Sequence, residues 1–200
     1  MKAIYYEKYG NISVLKQGEI DDPKKVLDKE VLIKVNFFSL NPLDYKLRNG
    51  MLKLMTFRTF PRTTGSDFSG EIVAKGESVN NFEIGEKVFG FLSQLNEGTS
   101  SQFIKVNQSI LSKAPTNIDI GKAAAVPLAA LTSYQALVQL AKIKKGNKVL
   151  INGASGGTGI FAIQIAKIFG AKVTSITSHR NINWMLDTFL VDEAIDYTKE

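Results

Sequence analysis

Residues 149–159 read Val-Leu-Ile-Asn-Gly-Ala-Ser-Gly-Gly-Thr-Gly. An apolar, β-branched run enters a glycine-rich turn. Ile160 to Phe169 follows with helical apolar spacing. Strand, glycine turn and helix form the geometry that holds a nucleotide pyrophosphate. Glycines let the backbone approach the phosphates, and the helix N-terminus offers unpaired N–H groups and the positive end of its dipole. The candidate cradle is Gly153, Ala154, Ser155, Gly156, Gly157, Thr158 and Gly159, with the Ser155 and Thr158 hydroxyls as added donors. The same segment also reads as a plain tight connection. The two readings separate at Gly156 and Gly157, where a bulky side chain should block a phosphate and leave the fold standing.

The neighbouring pattern extends this unit. Strand 149–151, helix 157–169, strand 172–177, helix 181–190 and strand 194–197 spell βαβαβ, with spacing for right-handed parallel crossovers. That is one mononucleotide-binding half of a doubly wound α/β sheet. A helical stretch, opened by Ala123-Ala124-Ala125-Val126-Pro127 and running to about Ala141, precedes it. The first hundred residues instead alternate short strands and glycine turns, with strands expected at 2–5, 31–37, 68–74, 87–91 and 102–106. This texture suggests a small barrel or sandwich. The division falls near 118–123, giving domains 1–120 and 121–200.

Composition removes several classes. The 200 residues are 44% apolar and 22% charged, which is ordinary for a globular protein. There is no cysteine, which suits a reducing, cytoplasmic setting. No apolar run reaches a membrane span. The net charge of +6 is carried by scattered lysines, so a nucleic-acid partner is not expected. A catalytic zinc needs three ligands from Cys, His and Asp/Glu. His179 is the single histidine, so no metal is expected.

The end of the second strand bears on cofactor choice. NAD sites usually carry an acid there for the ribose 2′-hydroxyl. Here Ser175-Ile176-Thr177-Ser178-His179-Arg180-Asn181 has none. Arg180 can grip a 2′-phosphate bidentately, with Ser178 as a further donor. His179 and Arg180 also stand where the next helix begins, an unfavourable place for cations that a phosphate would relieve. This favours NADPH over NADH; the bland alternative leaves Arg180 in water.

Three stretches together are similar to the medium-chain dehydrogenase/reductase superfamily, in its zinc-free quinone oxidoreductase branch. They are Asn41-Pro42-Leu43-Asp44-Tyr45-Lys46-Leu47-Arg48-Asn49-Gly50; Gly65-Ser66-Asp67-Phe68-Ser69-Gly70 with Gly85-Glu86-Lys87-Val88-Phe89-Gly90; and Ala124-to-Tyr134 leading into Asn152-to-Gly159. The resemblance covers essentially the whole chain but only the first part of a typical member. It implies a GroES-like barrel followed by an incomplete Rossmann domain, with cofactor in the cleft between them. It implies NADPH-dependent reduction of a quinone or an α,β-unsaturated carbonyl, and a homodimer for the full-length form. Gly65-Ser66-Asp67 stands where zinc-using relatives carry Gly-His-Glu.

By the same resemblance, Asn41, Pro42 and Asp44 sit beside the nicotinamide, with Lys46 and Arg48 near the cleft. Asn41 would hydrogen-bond the substrate carbonyl or the nicotinamide carboxamide. Lys46 would stabilise a developing oxyanion. Many relatives have tyrosine at the Lys46 position, so the proton donor is left open, with water a candidate. Asp44 and Arg48 also read as a plain i,i+4 ion pair. Thr132 is expected to contact the nicotinamide end, or to pack on the buried face of its helix. Tyr197 is expected to touch the cofactor. Phe37, Phe38 and Tyr45 are candidates for a quinone pocket or for the core. Competing readings are a truncated, inactive fragment that binds nucleotide weakly, with Val149–Ile151 left at a sheet edge, and a nucleic-acid-binding relative.

Overall fold

The computed structural model describes residues 1–23, 25–54, 60–93 and 97–199. They form two compact units, Met1–Pro127 and Leu128–Glu200. No helix among the described residues is long and apolar enough to cross a membrane.

The first unit holds two antiparallel sheets. One has the order β2-β1-β4, from β1 (Lys2–Tyr6), β2 (Lys16–Glu19) and β4 (Arg62–Thr63). The other has the order β7-β3-β5-β6-β8, from β3 (Glu30–Ser39), β5 (Asp67–Lys75), β6 (Lys87–Phe91), β7 (Phe103–Asn107) and β8 (Leu111–Lys113). Inward positions of the longer strands supply the core: Val31, Ile33, Phe68, Ile72, Val88, Ile104 and Val106, closed by Val79, Phe82 and Leu111. Val31 and Ile33 alternate with polar-facing neighbours, as period-two burial requires. Register shifts at Leu32/Ile33 and Val35/Phe37 bend β3 before it delivers its last residues to α1 (Pro42–Arg48). The strands β2, β4 and β8 escape a hydrophobic-pattern search: Lys16-Gln17-Gly18-Glu19 has no apolar alternation and is held by backbone pairing to β1.

The expected helical stretch, opened by Ala123–Pro127 and running to about Ala141, begins at Pro127, and a separate short helix precedes it. Short α2 (Ile120–Ala123), capped by Asp119, packs on β3 and β5 of the first unit. Proline lacks an N–H and favours the first helical turn, so a new helix, α3 (Pro127–Tyr134), begins at Pro127. A π-helical stretch, Gln135–Leu140, continues it.

The second unit is a three-stranded parallel sheet of order β11-β10-β9, from β9 (Lys148–Asn152), β10 (Lys172–Thr177) and β11 (Glu193–Asp196). The connections are α4 (Gly157–Ile168) and α5 (Ile182–Asp187). α5 is shorter than the expected 181–190: its start is a 3-10 turn, His179–Asn181, and Leu190 has a positive φ. The core gathers Ile151, Val173, Ala162, Ile163, Ala166, Met185 and Val191.

Candidate functional site

The parallel sheet collects the nucleotide candidates at one edge. In register, Asn152 pairs with Ile176 and Thr177 with Asp196. The carboxyl ends of three strands therefore deliver Gly153, Ser178 and Tyr197 to one side, where open α/β sheets bind ligands.

The glycine turn is built for close approach at that edge. Gly153 has φ +71°, in the left-handed region. Gly156 is the N-cap of α4 and offers no side-chain cap. The first N–H groups of α4 thus lack intrahelical partners by helix geometry. A Cβ on Gly157 meets nothing within 4 Å. A Cβ on Gly159 falls 2.5 Å from the carbonyl oxygens of Gly153 and Ala154. Gly159 is therefore required by packing, whereas Gly157 faces open space.

Ser155 is held by two residues that the sequence reading passed over. Its Oγ accepts from Thr177 Oγ1 at 2.9 Å and from Asn181 Nδ2 at 3.0 Å. Its own hydroxyl proton is left for a further acceptor. Asn181 Nδ2 also reaches Ser178 Oγ at 3.3 Å, so one network ties the glycine turn to the turn after β10. The available signal was the parallel pairing itself, which sets the polar ends of adjacent strands side by side.

Arg180 is exposed on the 3-10 turn. His179 Nδ1 lies 3.0 Å from Asp196 Oδ2. The Thr198 hydroxyl, its N–H and His179 together hold the Asp196 carboxyl below its ordinary range. The expected conflict of basic residues with a helix start is thereby softened: His179 is engaged by Asp196, and α5 begins only at Ile182.

Thr132 is not on the buried face of its helix. It is exposed, and its hydroxyl donates to Leu128 O at 2.7 Å. The buried neighbour is Ser133, which donates to Ala129 O at 2.9 Å and to Thr158 O at 2.8 Å, binding α3 to the first turn of α4. Tyr197 has an exposed ring, and its N–H donates to Thr177 O at 3.2 Å.

In the first unit, Asn41 ends β3's descent and caps α1, with Pro42 at the first helical position. Its N–H donates to the Asp44 carboxylate. Its Nδ2 donates to Asp67 Oδ2 at 2.9 Å and to Ser39 Oγ at 3.3 Å, and Ser39 Oγ donates to the same Asp67 oxygen at 2.9 Å. Ser66 Oγ reaches Asp44 Oδ1 at 3.3 Å. Asp44 is 4% exposed, and Ser66 and Asp67 are fully buried. Asp44 also lies in the first turn of α1, where a negative charge suits the helix dipole. Asp44 belongs to the network around Asn41, while Arg48 acts electrostatically on the buried Tyr6. Burial, opposed by Arg62 and Arg48, holds the Tyr6 hydroxyl above its ordinary pKa. The Arg48 Nε is buried with no hydrogen-bond partner among the described residues. Lys46 is half-buried on the same helix. Phe37 and Tyr45 stay nearly half exposed and outside the core, and Phe38 is partly buried. The sequence pattern does not single out Ser39, Ser66 or Asp67 for this network; the available signal is an acid, Asp67, at the head of the buried run of β5.

Residues 27–116 match the alcohol dehydrogenase GroES-like domain family. The chain is 36% identical over 203 residues to a chloroplastic quinone-oxidoreductase homolog of Spinacia oleracea, covering 98% of this chain and 61% of that protein. It is 33% identical to a chloroplastic NADPH-dependent alkenal/one oxidoreductase of Arabidopsis thaliana, covering 100% of this chain and 53% of that one. Its fold matches the solved quinone oxidoreductase from Coxiella burnetii with TM-score 0.91 and 35% identity, over 100% of this chain and 63% of the other. The chain thus spans about three-fifths of the length of the relatives it matches best among these.

Proposed function

We propose that the chain belongs to the quinone oxidoreductase family of medium-chain dehydrogenases/reductases, which its similarity to those proteins supports, and that it serves NADPH-dependent reduction of a quinone or an α,β-unsaturated carbonyl. The observation that carries the reading is the carboxyl edge of the parallel sheet, where an uncapped helix start and Gly157 face open space. Anions are favoured at such a helix end.

In this reading the N–H groups of Gly157, Thr158 and Gly159 and the Ser155 hydroxyl hold the pyrophosphate. Gly153, Ala154 and Gly156 shape the cradle. Arg180 and Ser178 hold the 2′-phosphate, and Thr132 and Tyr197 flank the cofactor. NADPH supplies the hydride when bound. Asn41, Pro42 and Asp44 serve the reacting end, and Lys46 and Arg48 supply positive charge for the oxyanion that hydride addition creates on the substrate. Water then protonates that oxyanion. The residues do not fit a catalytic zinc: there is no cysteine, Ser66 and Asp67 occupy the segment where a ligand pair would stand, and the single histidine is His179. The acceptor must therefore be electrophilic by itself, as quinones and enones are.

The Gly157→Val variant tests the cradle. Its Cβ meets no protein atom, so the unfolding midpoint should stay close to that of the parent. NADPH affinity should fall by about tenfold or more, the loss of roughly one charge-assisted hydrogen bond. Unchanged affinity in a folded Gly157→Val protein contradicts the assignment.

A further inference from the structure

The Asn41 carboxamide spends its N–H groups inside the protein. Nδ2 faces Asp67 Oδ2 at 2.9 Å and Ser39 Oγ at 3.3 Å. Ser39 Oγ gives its own proton to the same Asp67 oxygen at 2.9 Å. A carboxylate only accepts, so it decides which end of a carboxamide turns toward it. The nitrogen must point to Asp67 and the oxygen away. Asp67 is fully buried, so water does not compete for this arrangement. The oxygen carries two lone pairs. Even with one directed at the first turn of α1, a second remains for a ligand.

We propose that Asp67, with Ser39, is a positioning residue that fixes Asn41 as a hydrogen-bond acceptor toward the bound molecule. This rests on Asn41 serving the reacting end of the site. It separates the two roles the sequence left open for that residue. Asn41 receives an N–H, such as that of the nicotinamide carboxamide, and does not donate to the carbonyl oxygen of the acceptor substrate. Asp67 touches neither molecule; it acts through Asn41.

The test uses two reduced dinucleotide phosphates in binding titrations: NADPH and its 3-acetylpyridine analogue, whose acetyl group has no N–H. The parent protein should favour NADPH by roughly fivefold, one hydrogen bond's worth. In Asp67→Asn, whose own amide can donate to the Asn41 oxygen, that preference should shrink toward unity. Asn41→Ala should remove it as well, and the Asn41→Ala/Asp67→Asn double variant should lose nothing more. Ser39→Ala keeps the carboxylate and should shift the preference the same way by less. Equal weakening of both dinucleotides in Asp67→Asn and Ser39→Ala overturns the proposal, since a merely structural role moves them together. The Asn41 side-chain amide protons give a readout without cofactor. They should exchange slowly with solvent in the parent and faster in Ser39→Ala. Fast exchange in the parent overturns the proposal by itself. Slow exchange with no binding of either dinucleotide upholds the positioning and instead overturns the assignment of the cofactor.

Discussion

Gly157 and Gly159 stand two residues apart and answer to different constraints. Gly159 lets the first turn of α4 approach the carbonyl oxygens of Gly153 and Ala154, and a methyl group there has no room. Gly159→Ala should therefore lower stability by about 1–3 kcal/mol, the usual cost of overpacking, in a denaturant titration. Gly157→Ala should leave stability within about 1 kcal/mol of the parent, since alanine is the better helix former. Arg180 carries the second prediction at this scale. It is exposed, while the neighbouring His179 is engaged with Asp196. Arg180→Ala should raise the dissociation constant for NADPH by about tenfold or more and leave NADH nearly unchanged, because only the former has a 2′-phosphate to lose. Equal effects on both would sink the role. The sequence made the glycine turn legible because closely spaced glycines between a strand and a helix mark a backbone that another chain segment or a ligand approaches closely. It did not reveal Asn181, Thr177 or Asp67. Their importance lies in which oxygen each one faces, and that depends on strand register rather than on local pattern.

At the scale of elements, the parallel sheet is pinned by a side chain before β11. Asp192 Oδ2 accepts from the Val173 N–H at 2.7 Å and from Lys167 Nζ at 3.1 Å. Those two interactions, the backbone one first, hold its carboxyl below the ordinary 3.8. A lowered folded-state pKa contributes stability that is present above the unfolded value and lost as pH falls through the folded one. Asp192→Ala should cost about 1–2 kcal/mol near neutral pH, chiefly because the N–H of the fully buried Val173 loses this acceptor. Asp192→Asn should cost less. The difference between parent and alanine variant should narrow as pH falls below about 4, measured by thermal unfolding across pH. A constant difference down to pH 2 would contradict the carboxylate's part. The strong β9-α4-β10-α5-β11 pattern was readable because long periodic segments report themselves. Pro127 marks the opening of α3 legibly, whereas the short α2 ahead of it, capped by Asp119, carries too few residues to show a helical period. The short edge strand β2 had no apolar signature to read, because backbone pairing forms it.

At the scale of the molecule, the chain joins an antiparallel β unit and a parallel α/β unit, each with its own core. The expected pairing of a GroES-like domain with a partial Rossmann sheet holds. The Asn41 network lies in the first unit and the glycine turn Gly153–Gly159 in the second. The measurement that bears most directly on the proposed function is NADPH oxidation by the protein with a simple quinone and with an enone, followed by the loss of nicotinamide absorbance and by product analysis, with and without a metal chelator. The account predicts NADPH consumption matched one to one by reduced acceptor, slower with NADH and indifferent to the chelator. NADPH binding without reduction of either acceptor class, or activity abolished by the chelator, would contradict it.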